Sequence, residues 1–221
     1  MKNSNITPIT YAPGTGANFL SYFITSANDP NPPKMILSDD GHAHFAAALY
    51  PHYMGGLYRG FKEQTINHIN HFLNIDTSHY PIKKFYPVAH MKDFALLTEY
   101  FEKLIVILYD NDDIETVGKI YLGKWARHVE PYEDIKVLYQ NILRSLKFYK
   151  DLYFKYNPKL EPATCFVHWK EIYAYDTSIL ISKVSKFTST PEQNFNIENL
   201  NTWRESTREC EAQVTQLLNT V

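Results

Sequence analysis

Cysteine is nearly absent from this chain of 221 residues, where only Cys165 and Cys210 occur. Two cysteines so far apart supply no disulfide framework, and a chain that does without one fits a reducing compartment. Charge of one sign is not in excess either. The 22 Lys and Arg against 24 Asp and Glu leave a formal net charge of −2. Bulk electrostatics therefore offers no case for nucleic acid or an acidic membrane surface as a partner. No run approaches the roughly 18 apolar residues of a spanning helix. The stretch Met1-Lys2-Asn3-Ser4-Asn5 lacks the long apolar segment that a signal peptide requires. The expectation is a soluble, cytoplasmic protein with no membrane and no nucleic-acid partner. Repeats, low-complexity tracts and flexible linkers are also missing. Glycine is scarce, eight in all, so where the glycines stand is informative.

What is present points to one α/β domain over 1–221. Hydrophobic residues make up 44% and charged residues 21%, enough for a sizeable core and too apolar for disorder. Residues 6–12 read as a buried strand and 17–27 as a helix. Asn28-Asp29-Pro30-Asn31-Pro32-Pro33 ends that helix, because prolines cannot continue it. The spacing predicts a brief helix at about 43–50, helices over 63–74 and 93–103, and a strand over 85–89 that leads to His90. Leu104 to Tyr109 is a run of six apolar residues without alternation, a strand covered on both faces as in a parallel sheet. Helices follow to about Trp125, over 132–156, 169–185 and 197–219, with a β-prone run at 163–168. Strands alternating with helices give a three-layer sandwich around a mainly parallel central sheet. Ligands of such sheets sit beyond the carboxyl ends of the strands.

Three features fall at those ends: a glycine turn, His90 and Asp110. The turn lies in Ile9-Thr10-Tyr11-Ala12-Pro13-Gly14-Thr15-Gly16-Ala17-Asn18-Phe19-Leu20. Strand, glycine turn and helix start point backbone N–H groups and a positive helix end at one small volume, which suits a phosphate or sulfate. Thr15 and Asn18 can add side-chain hydrogen bonds. The alternative is a βα turn that uses glycine for geometry alone. His90 carries the side chain best matched to taking a proton near neutral pH.

Familiar site patterns are missing. G-x-x-x-x-G-K-[ST] does not occur, and no lysine stands between Tyr11 and Phe23. A magnesium-nucleotide kinase would rest on Asp110 and the turn alone. Phe19 stands where G-x-G-x-x-G needs its third glycine, and no G-x-S-x-G marks a serine nucleophile. His42 with His44, and His68 with His71, lack the partners of zinc motifs, so no metal is expected. The aromatic loop at 51–61 could border a pocket or meet a partner.

Pro13-Gly14-Thr15-Gly16-Ala17-Asn18-Phe19-Leu20 resembles the 5′-phosphosulfate loop of sulfotransferases, usually P-K-S-G-T-T-W-L. Phe85-Tyr86-Pro87-Val88-Ala89-His90, then a helix, then Ile105 to Ile114 resembles that family's second block, in which a strand ends in the catalytic histidine and R-x-P-x-D-[VI] follows. The resemblance covers roughly the first 125 residues. It implies the P-loop-like α/β fold of sulfotransferases and transfer of a sulfuryl group from 3′-phosphoadenosine 5′-phosphosulfate to a hydroxyl or amine of a small molecule or glycan. His90 would match the base. Gly14, Thr15, Gly16, Ala17, Asn18 and Phe19 would hold the 5′-phosphosulfate. Gly14 takes the place of the family's lysine, and with Asp113 aligned to the family acid, Tyr109 and Val117 replace the arginine and serine that bind the 3′-phosphate. Lys119, Lys124 and Arg127 are the cations that could compensate. A binding or assembly module on the same scaffold, without the chemistry, is the alternative.

Overall fold

The computed structural model describes residues 7–12, 14–29, 35–37, 43–45, 85–89, 101–125, 134–156, 163–174 and 176–220. Among them, β1 (Thr7–Tyr11), β4 (Phe85–Ala89), β5 (Leu104–Leu108) and β6 (Thr164–His168) form one sheet in the order β4-β1-β5-β6. Every pairing in it is parallel. Thr7 to Thr10 and Leu104 to Ile107 are buried without alternation, as strands covered on both faces must be. At the edge, β6 alternates between buried and half-buried residues instead. This is the α/β class with a parallel sheet flanked by helices.

Two short strands, β2 (Met35–Leu37) and β3 (Ala43–Phe45), pair antiparallel as a separate ribbon. The helix expected at about 43–50 is thus a strand over its first three residues. Ile36 and Leu37 pair with His44 and Ala43, and that pairing holds the segment extended. The expected helices at 63–74 and most of 93–103 lie outside the described residues, and Phe101–Lys103 is not helical.

Among the described residues, six α-helices accompany the sheet: α1 (Ala17–Asn28), α2 (Ile114–Trp125), α3 (Ile135–Tyr156), α4 (Trp169–Tyr173), α5 (Thr177–Thr188) and α6 (Ile197–Thr220). Apolar residues almost all around α1 are buried, Phe19, Leu20, Phe23 and Ile24 among them. A helix of that kind is packed from several sides. The Ser21 hydroxyl donates to the Phe85 carbonyl at 2.6 Å, tying α1 to β4. On its other side, Phe19 stacks on Trp203 of α6 with ring centroids 4.8 Å apart. The helix read over 169–185 is two helices, because Asp176 caps a new one by accepting the Ser178 N–H at 2.9 Å. Arg204 of α6 closes the break. Its guanidinium donates to the carbonyls of Ile172 (2.8 Å) and Glu171 (3.1 Å) and to the Thr177 hydroxyl (3.0 Å). No described helix is long and apolar enough to cross a membrane.

Candidate functional site

The carboxyl edge of the sheet is set by register. Tyr11 pairs with Ala89, and Leu108 with His168. Directly after Tyr11 the chain bends through Gly14 and Gly16, at φ +87° and +81°. This is left-handed backbone that favours glycine. Thr15, fully buried, closes the bend by donating its hydroxyl and its N–H to the Ala12 carbonyl, at 2.7 and 3.3 Å. That hydroxyl is therefore engaged locally.

The glycines also make room for neighbours. A Cβ on Gly14 would lie 2.6 Å from the Val117 carbonyl oxygen of α2, and one on Gly16 would lie 2.8 Å from the Trp203 ring. So α2 backs the first glycine and α6 the second. Helix α1 then starts with no side-chain cap and no acidic residue in its first turn. Its leading N–H groups and dipole keep their positive character. Of the residues read as the phosphosulfate loop, Asn18 is exposed, Ala17 is buried, and Phe19 is core beneath Trp203. The turn brings Gly14 to Asn18 together, whereas Phe19 faces the interior.

His90 lies outside the described residues. Strand β4 ends one residue before it, at Ala89, level with Tyr11. His42, His68, His71, Arg127 and the loop at 51–61 also lie outside them. Lys119 is described and half-buried. Val117 and Tyr121 are the α2 residues that meet Gly14. At about 100° per residue, position 119 falls on the opposite side of the helix. Lys119 therefore does not replace the lysine missing from the turn.

The two positions aligned with 3′-phosphate ligands are built into the core. Tyr109 is 6% exposed and donates its hydroxyl to the Leu146 carbonyl at 2.6 Å. Burial, reinforced by Tyr149 and Asp151, pushes its pKa well up. Val117 is fully buried. Neither position presents a cation or a free hydroxyl to a phosphate.

A second cluster at this edge joins Asp110 and Asp113, both singled out in the sequence, to His168 and Lys170, which were not. The Asp113 carboxylate, 2% exposed, accepts from the Asp110 N–H at 2.8 Å and pairs with Lys170 at 2.8 Å. His168 Nε2 lies 3.2 Å from Asp110 Oδ2 and 3.6 Å from Asp113 Oδ2. One ligand atom from each of Asp110, Asp113 and His168 falls within 4.8 Å of the others, close enough to share a cation. The hydrogen bonds argue for another role. His168 Nδ1 accepts the Lys170 N–H at 3.2 Å, so the neutral ring carries its proton on Nε2 and donates it to Asp110. A metal-bound imidazole keeps its lone pair on the metal and donates from the other nitrogen. As built, the cluster is a latch between the ends of β5 and β6. No local signal marks it, because its members come from two strand ends separated by more than fifty residues.

No protein-family model matches the chain, and no curated protein matches it in sequence. In structure it is similar to the sulfotransferase domain from the curacin biosynthetic pathway, at a TM-score of 0.46 and 15% identity, over 86% of this chain and 76% of that one. The likeness is distant and concerns the course of the chain only.

Proposed function

We propose that this chain is a sulfotransferase-like enzyme. Its glycine turn receives the 5′-phosphosulfate end of a nucleotide donor through main-chain N–H groups, and His90 takes the proton from a hydroxyl or amine of a small-molecule or glycan acceptor. The observation that carries the reading is the pair of left-handed glycines right after β1, opening an uncapped helix without a first-turn acid. Fixed N–H donors suit a reaction that moves negative charge, because they need no reorganisation as it proceeds. The donor, 3′-phosphoadenosine 5′-phosphosulfate in this reading, supplies the sulfuryl group; its bond to the 5′-phosphate oxygen breaks as the acceptor's forms, and 3′-phosphoadenosine 5′-phosphate leaves.

The buried positions 109 and 117 sharpen the test. With no cation there, the 3′-phosphate adds little. Calorimetry should show 3′-phosphoadenosine 5′-phosphate and adenosine 5′-phosphate binding within about threefold of each other, where a charge-assisted contact would contribute more than tenfold. His90→Ala should leave that binding intact and remove sulfuryl transfer. Absence of heat with both nucleotides overturns the reading.

The core placement of Tyr109 and Val117 favours a second one, a binding or assembly module that kept the scaffold and lost the chemistry. A stable oligomer in light scattering, together with no nucleotide heat, would select it.

A further inference from the structure

A groove of about 580 Å³ opens at the far end of α1, between that helix and the approach to α6. Its lining begins at Tyr22, six residues after Gly16, so at about 1.5 Å per residue the groove starts some 9 Å along α1 from the glycine turn. Its size falls in the range of small-molecule sites, roughly 300–1,000 Å³. Tyr22, 3% exposed, contributes its hydroxyl to the lining. Asn199 is half-buried, while Asn194 and Asn196 are exposed.

Each of these amides is held by its own bond to the fold. Asn194 donates to the Ala27 carbonyl at 3.1 Å, Asn196 Oδ1 accepts the Asn199 N–H at 3.1 Å, and Asn199 donates to the Tyr22 hydroxyl at 3.1 Å. Two orientations follow from the partners, since a carbonyl only accepts and an N–H only donates. Asn194 is left with an acceptor, its Oδ1, and Asn196 with a donor, its Nδ2. Side chains locked in this way lose little entropy on binding. Among the described residues of the lining there is no Lys or Arg, and Asp29 is the one with a formal charge. That lining disfavours phosphates, sulfates and nucleotides. Alternating amide donors and acceptors match hydroxyl groups, which do both.

We propose that this groove binds a neutral, hydroxyl-rich ligand of mono- or disaccharide size through the side-chain amides of Asn194, Asn196 and Asn199. The site is independent of the donor turn and stands whether or not the chain transfers sulfuryl groups. The probes are glucose, galactose, N-acetylglucosamine and lactose, titrated to about 10 mM against the full chain by saturation-transfer NMR and calorimetry. At least one should bind, and 3′-phosphoadenosine 5′-phosphate should not displace it. Asn196→Asp keeps an acceptor for the Asn199 N–H, and so keeps the start of α6, but replaces the donor with a second acceptor. It should weaken the sugar about tenfold and move the melting temperature by less than about 2 °C. No binding by any of the four sugars, equal binding by Asn196→Asp, or displacement by the nucleotide would each overturn the assignment.

Discussion

Gly14 and Gly16 serve conformation and packing at once. Each is left-handed, and each is approached closely from behind, Gly14 by the Val117 carbonyl and Gly16 by the Trp203 indole. Alanine at either position meets both penalties. Gly14→Ala and Gly16→Ala should each lower the unfolding free energy by about 2 kcal/mol, read from urea denaturation midpoints. Gly14→Ala should fare worse, because a main-chain carbonyl yields less readily than the rim of a side-chain ring. The turn was legible in the sequence because everything that makes it lies within a dozen consecutive residues. What backs it was not. Val117 aligned with a ligand serine, and only the packing of α2 shows why an apolar residue stands there.

Among the elements, β5 was the most legible, since six apolar residues in a row leave few other structures open. The break between α4 and α5 was harder to see, because Ile172, Leu180, Ile181 and Val184 continue an apolar pattern across it. Asp176 overrides that pattern. The Ser178 N–H holds its carboxyl below the ordinary value of 3.8. A depressed carboxyl stabilises the fold above that ordinary value, and the benefit is lost as pH falls through the lowered one. Asp176→Asn retains a neutral cap. It should therefore melt below the native protein at pH 7 and level with it once the pH is under the native cap's titration. Thermal melts of the two proteins at pH 7 and at successively lower pH check this sign. Strand β3 was read as the start of a helix for a different reason. Three residues of Ala, His and Phe carry too little pattern to reveal a partner strand.

At the scale of the molecule, the first βα unit and the last long helix are one construction. Trp203 is 1% exposed, stacks on Phe19 and fills the space behind Gly16. Trp203→Ala should cost about 3–5 kcal/mol in denaturant titration, as large core deletions do. It should also weaken any nucleotide bound at the turn, whereas a core deletion remote from it would cost stability alone. Sequence reasoning reached the sheet class and the place of the turn, both of which follow from local pattern. The latch of Asp110, Asp113, His168 and Lys170 depended on which strands become neighbours, which no local pattern records. The indole behind the second glycine has a temporal consequence during synthesis. The turn is encoded within residues 7–20, yet it lacks its rear wall until residue 203 has emerged. A nascent chain halted before that point should carry the full loop sequence and still lack the packed turn that the proposed donor site requires.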